Sequence, residues 1–306
     1  MRGRGLVPAM KLLVAGLLPF ESGKTTLVLG LVEEMKERGL KAGYFKPVAG
    51  HNGWFQADTL EYTVSLGVLV GHDVYVVAER LEIVEKVALL NPVDVLSLPI
   101  DPFSAKTTPR GYVDLMSASL GTAVIARFTR LRGGVVEHKY YMVEDNVARL
   151  SPVSVELLSR VLEAVAGGGT LERITARSLE KLLDDPSTYA EVDRFLELLG
   201  GYDHLIIEGY NDVSAPTPGS CTVDYVVVVA PTRAALYDGR KYCRAVEVIA
   251  PGRPWVVRSL SVVEIVGKPI KVFNVHPMGH GAEFKRSVSD ILDTITGVRG
   301  RDGRAF

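Results

Sequence analysis

Gly23-Lys24-Thr25-Thr26 puts a flexible backbone, a cation and two hydroxyls in consecutive positions. That combination suits a triphosphate. Successive backbone N–H groups wrap phosphate oxygens, and the start of a helix adds partial positive charge. Lys24 then reaches the β- and γ-phosphates, and the Thr25 hydroxyl is a Mg²⁺ ligand. The usual spacing sets another glycine five positions before Gly23, where this chain has Leu18. The nearest glycine upstream is Gly16. Two readings compete: a stretched loop, or a lysine-threonine pair that merely begins a helix. The flanks favour the loop. Residues 10–16 form an apolar run of strand type. Residues 24–37 carry Leu27, Leu31 and Met35 at helical spacing before Gly39, and 41–48 read as a second strand. Strand, loop, helix and strand in that order is the context a phosphate loop requires.

A magnesium site needs further oxygen ligands. Glu208 ends the apolar strand "HLIIEG" and would project from the carboxyl edge of a sheet, beside the loop. Asp58 opens the helix expected after the second strand, where it is either a metal ligand or a helix cap. Lys46 ends the second strand and faces the same crevice. There it would hold an anionic substrate or stabilise charge developing in a transition state.

Strand and helix patterns alternate along the chain, and this predicts a doubly wound, mostly parallel α/β sheet. Helices are expected at 58–66 and 74–90, and the proline-punctuated stretch 89–105 reads as ordered loop. The texture then changes. Residues 122–131 and 135–143 suggest a long hairpin around "RGG", followed by helices at 153–165, 171–183 and 190–199. Strands at 204–209, 224–230 and 269–275 and helices at 240–249 and 282–295 resume the α/β pattern. The expected organisation is a nucleotide-binding domain from 1–105 and 201–306, with 106–200 as a β-hairpin and helical insertion.

Composition excludes some partners. The 306 residues carry a net charge of −1, so no overall field favours nucleic acid or an anionic membrane. No apolar run reaches the length of roughly 18 residues that a spanning helix needs. The basic-then-apolar N-terminus is interrupted by Lys11, against a signal peptide. Two cysteines in no CxxC pattern and a single glutamine, Gln56, fit a reducing cytoplasm and a thermophilic source. His276 and His280 are four apart, but Pro277 and Gly279 argue against a helical metal pair. The basic stretch "RFTRLRGGVVEHK" reads as a solvated hairpin face.

Several segments together resemble the dethiobiotin synthetase group of P-loop proteins, ATP-dependent carboxylase/cyclo-ligases. "PFESGKT" is similar to that family's longer loop, with Glu21 on its loop glutamate and Ser22 beside it. "GYFKPVAG" sets Lys46 on the substrate lysine, "ADTL" sets Asp58 on a magnesium ligand, and "YDHLIIEG" sets Glu208 on the second metal carboxylate. "KVFN" resembles the strand whose last residue, here Asn274, contacts the adenine. The chain departs from the family at Gly50, at Asp101-Pro102-Phe103 and at Tyr210-Asn211-Asp212, near where that family holds its diamine. The resemblance therefore implies ATP and Mg²⁺ bound by Gly23, Lys24, Thr25 and Thr26, and leaves the small-molecule substrate open. The expectation is a ligase or carboxylase-like enzyme. A nucleotide-dependent regulatory ATPase and a small-metabolite kinase are the alternatives, and a homodimer through the hairpin is compatible with either.

Overall fold

A computed structural model describes residues 10–104, 108–118 and 120–297. The basic start of the N-terminus, residues 1–9, lies outside these residues. The strands are β1 (Met10–Gly16), β2 (Ala42–Phe45), β3 (Val48–Asn52), β4 (Val93–Ser97), β5 (Ala123–Arg132), β6 (Val135–Val143), β7 (Gly169–Ile174), β8 (His204–Glu208), β9 (Tyr225–Ala230), β10 (Arg233–Asp238) and β11 (Lys271–Asn274). They form two sheets, and the protein is a mixed α/β structure. No helix among the described residues is long and apolar enough to cross a membrane.

The chain divides into two compact units. The first comprises 1–46, 80–82 and 196–306, and the second 47–79 and 83–195. The change of texture in the sequence had suggested a boundary near 105; the observed one falls between Lys46 and Pro47. A proline has no N–H to give a ladder, so β2 ends there. What reads as one strand over 41–48 is therefore two, and β3 belongs to the other sheet.

The first unit holds a six-stranded sheet in the order β11-β10-β9-β1-β8-β2. Strands β2, β8, β1 and β9 run parallel, and β10 and β11 add antiparallel pairings. β8 enters between β1 and β2, and β9 then lies on the far side of β1. The carboxyl end of β1 is thus flanked by strands reached in opposite directions, the place where open α/β sheets form a crevice. The helix α1 (Lys24–Glu37) buries Leu27, Val28, Leu31, Val32 and Met35. Gly30 on α1 meets Phe284 and Val288 of the helix Gly281–Thr296, where a Cβ would lie 2.7 Å from Val288 Cγ2.

The second unit carries the sheet β3-β4-β5-β6-β7, mixed in direction. β4 lies inside the stretch expected to be loop. Pro92 and Pro99 bound the strand instead of interrupting it, and Val93, Val95 and Leu96 are buried. β7 and the helix Ala176–Asp184 replace the single helix expected at 171–183, because Thr175 caps the helix by accepting from Ser178 N–H. The helix expected at 74–90 is observed as His72–Arg80 followed, past Glu82 with φ 60°, by the short helical turns Val84–Lys86 and Val87–Leu90. The helix expected at 190–199 is Pro186–Asp193, capped by Asp185. Strand β10 and the helix Ser259–Ile265 were not expected at all.

Arg127 is fully buried in this second sheet. It donates to the carbonyls of Leu69 and Asn91 and to the Thr129 hydroxyl. Thr129 Oγ1 lies 3.1 Å from His138 Nδ1. With an Arg127 donor on one lone pair of its oxygen, Thr129 keeps its own proton to donate to an unprotonated Nδ1 and a second lone pair to accept from a protonated one. Burial, with the Arg127 charge added, pushes His138 down to about 4 from an ordinary 6.5. Unfolding restores the ordinary value, so the unfolded chain binds the proton first. Stability should be full above about pH 6.5, fall as pH drops toward 4, and level off below that. After discounting for partial exposure, the loss is on the order of 1–2 kcal/mol. Urea denaturation of the chain and of His138→Gln between pH 7 and 4 reads it: the variant should lack this part of the slope, and equal slopes would refute the assignment.

Candidate functional site

The site is built in the first unit at the carboxyl end of β1. Leu17 N–H donates to Val229 O at 2.8 Å, tying the start of the loop to β9. The chain then turns through Glu21 and Gly23, whose φ values are 50° and 89°. Gly23 is the N-cap of α1 in the left-handed region, a conformation natural to glycine. Its carbonyl accepts from Leu27 N–H, so the helix begins at Lys24 as expected.

Lys24 is buried and its Nζ donates to the Asn211 carbonyl at 2.7 Å and to Ser22 Oγ at 3.1 Å. Gly16 makes this possible. A Cβ on Gly16 would lie 2.5 Å from Ser22 Oγ, 2.7 Å from Lys24 Nζ and 2.9 Å from Asn211 O. Gly16 therefore does not stand in for the missing glycine at position 18. It clears the space in which the ammonium sits.

Glu208 is completely buried at the end of β8, in register with Val14 of β1. Its Oε1 accepts from the Thr25 hydroxyl at 2.7 Å and from Lys46 Nζ at 2.8 Å. Its Oε2 accepts from the Tyr44 hydroxyl at 2.7 Å. Lys46, buried with it, is thus an ion-pair partner of the acid as well as a cation near the loop. A buried carboxylate needs such donors to offset the loss of water. With its proton spent on Glu208, Thr25 Oγ1 offers only lone pairs to its other neighbours, the state in which a hydroxyl binds a cation.

The structure brings Ser22, Gly23, Lys24, Thr25, Lys46 and Glu208 together, and Thr26 follows on the first turn of α1. Glu21 is exposed on the loop. Asn274 ends β11 on the same sheet edge, three strands from β1 in the sheet order, which is about 14 Å. It is exposed, and its Oδ1 accepts from Arg233 at 3.0 Å. Asp58 belongs to the second unit, where it opens the helix Asp58–Leu66. His72 Nδ1 lies 2.5 Å from its Oδ2 and the Tyr62 hydroxyl donates to the same oxygen at 3.1 Å. Partial burial pushes its carboxyl up, and the His72 and Tyr62 interactions outweigh that, so the net shift is downward. Among the described residues no cluster of three or more His, Cys, Asp or Glu side chains is placed to hold a metal ion. His276 Nδ1 lies 3.2 Å from Ser287 Oγ, and the side chain of His280 lies outside what the structure describes.

Tyr44 and the Asn211 carbonyl were not singled out from sequence. A signal for Tyr44 existed: it is two positions before Lys46 in the run that reads as one strand from sequence, where alternate positions share a face. No side-chain type announces a backbone carbonyl, although Asn211 has φ 45°, unusual for a residue with a side chain. Comparison of the chain with protein-family models, with characterised proteins and with solved structures finds no match.

Two outcomes follow from this geometry. Gly16→Ala should crowd Lys24 Nζ and the Asn211 carbonyl and destabilise by roughly 1–3 kcal/mol, as overpacking does; urea denaturation reads it, and an unchanged midpoint would contradict the close approach. Glu208→Leu alone should destabilise by roughly 3–5 kcal/mol by removing the carboxylate that the buried Lys46 ammonium faces. Adding Lys46→Met should recover much of that loss in urea denaturation, and additive losses would contradict a direct pair.

Proposed function

We propose that the chain binds a nucleoside triphosphate, ATP, with Mg²⁺ at the Gly23–Thr26 loop, and uses it in a ligase or carboxylase-like reaction on a small substrate. The observation that carries this reading is the gathering of Lys24, Ser22 and the Asn211 carbonyl around the side-chain-free Gly16, beside a Thr25 hydroxyl held by the buried Glu208. The Asn211 carbonyl and the Ser22 hydroxyl are neutral acceptors for Lys24. A phosphate oxygen is a charged one and makes a stronger hydrogen bond. Exchange of one for the other is therefore favourable. Backbone N–H groups at the start of α1, free of intrahelical partners, add donors of the same kind.

Thr25 and Glu208 are the side chains that would hold Mg²⁺, with phosphate oxygens and water completing its shell, and the ion would neutralise charge on the phosphates. Glu208 orients the Thr25 hydroxyl. Lys24 would bind and align the terminal phosphate. Lys46, whose ammonium lies against Glu208, adds a second positive charge to the same crevice. Positioning and charge neutralisation are the main contributions a protein makes to phosphoryl transfer. The likeness to dethiobiotin synthetases is what suggests a ligase among the reactions that use such a site. Asp58 as a second metal carboxylate and Asn274 at the adenine rest on that likeness too.

The hold of Lys24 on Asn211 favours a second reading, a nucleotide-dependent switch. Asn211 adjoins Asp212, which accepts from Arg258 at 2.6 Å, so a lysine that lets go of Asn211 releases one tether of that segment. Calorimetry and turnover separate the readings. Lys24→Ala should weaken MgATP binding at least about a hundredfold, close to 3 kcal/mol. ATP turnover that rises with a carboxylate, or with an amine plus bicarbonate, supports the ligase. Slow turnover indifferent to every small molecule supports the switch, and turnover surviving Lys24→Ala overturns the site itself.

A further inference from the structure

The second unit contains a cleft of about 620 Å³ between the outer half of β5 and the helix Pro186–Asp193. Its charged lining residues are Arg130, Arg132, Arg194 and Glu191, three guanidiniums against one carboxylate. This is a local concentration of positive charge in a chain whose net charge is −1. Phe128, Arg130 and Arg132 alternate along β5 and share one face, opposite the face on which Arg127 is buried. Arg194 is steadied by Glu191, its Nη1 lying 3.2 Å from each carboxylate oxygen. Arg132 lies 3.7 Å from Glu137. Arg130 is half-buried and makes no ion pair among the described residues. Thr188, almost wholly buried, adds a hydroxyl-bearing side chain to the wall.

We propose that this cleft is a binding site for a small polyanion, a metabolite bearing two or more phosphate or carboxylate groups. Its volume is that of a small-molecule site. Guanidiniums present paired donors that match both anions, and arginines converging from two elements read spaced charges better than a single one. A nucleic acid is a poorer fit. Its backbone needs a continuous track of cations, and the hairpin beyond Arg132 runs Gly133, Gly134, Val135, Val136, Glu137, with no cation among them. The basic hairpin of the sequence is therefore one wall of an anion site and not only a solvated face. The inference does not depend on the nucleotide reading, since every residue in it belongs to the second unit.

The test uses the full chain carrying Lys24→Ala, which removes the loop lysine as a competing phosphate ligand. Pyrophosphate and citrate are titrated separately by calorimetry, so that the two arms distinguish phosphate from carboxylate recognition. One-site uptake of either probe is expected, weakened at least about tenfold by Arg130→Gln with Arg194→Gln and weakened further by salt. No uptake of either probe at millimolar concentration overturns the proposal, as does uptake that ignores both arginines. Tighter binding of a single-stranded oligonucleotide, lost in the same variants, also overturns it. Should the double variant fail to fold, phenylglyoxal labelling of the unsubstituted chain asks the same question. Arg130 and Arg194 should be protected by the probe that binds, and labelling unchanged by both probes counts against the site.

Discussion

A carboxylate in a place without water sets the terms for the first unit. Glu208 is buried at the end of β8, and such a group is costly unless donors surround it. Its three donors come from three places: Thr25 on the first turn of α1, Tyr44 on β2, and Lys46 just past β2. Satisfying it requires β2, β8 and β1 to be in register and α1 to start where it does. Val14 faces Glu208 across one ladder, and Phe45 faces Ile207 across the other. The loop before α1 is thereby fixed at one end by β1 and at the other by the acid. A slip of one residue in either ladder would turn a donor away and leave a buried charge without its partner.

The second unit meets the same problem with the opposite sign. Arg127 is as deeply buried as Glu208, and its donors go mainly to neutral oxygens, the carbonyls of Leu69 and Asn91 and the hydroxyl of Thr129. Asp94, also buried and opposite Arg127 in the ladder, raises the arginine's pKa while burial lowers it, and burial is the larger influence. One unit thus gathers its buried charges where the loop before α1 meets the sheet. The other uses a buried cation to join its sheet to the segments at Leu69 and Asn91. The face of β5 away from Arg127 is where Arg130 and Arg132 line a cleft.

Much of the candidate site was legible because its residue types are rare in combination and local in sequence. Gly23, Lys24 and Thr25 are contiguous, and the apolar runs on either side announce a strand and a helix. Glu208 was legible from its place at the end of an apolar strand. Lys46 was legible as a position but not as a partner, since nothing in "YFKP" says which acid its ammonium will meet. The fold was less evenly legible. The hairpin β5–β6, the strands β8 and β9 and the helices α1 and Gly281–Thr296 follow from periodicity. β4 was hidden by its flanking prolines. β7 was hidden because a short exposed edge strand running into a capped helix shows no alternation of its own.

The sequence by itself determined the local chemistry: a strand, a glycine-lysine-threonine turn and a helix, with an acid closing a later strand. Each depends on neighbours within a few residues, where backbone geometry and side-chain period act directly. Only the tertiary structure decided which groups meet. Gly16 matters because Lys24 and Asn211 occupy the volume its side chain would fill, and Asn211 lies 187 positions from Lys24 along the chain. The boundary at Lys46, the membership of Asp58 in the second unit, and the pairing of Lys46 with Glu208 are of the same kind. They are set by sheet order and strand register, which join residues far apart in sequence and leave no periodic mark on either.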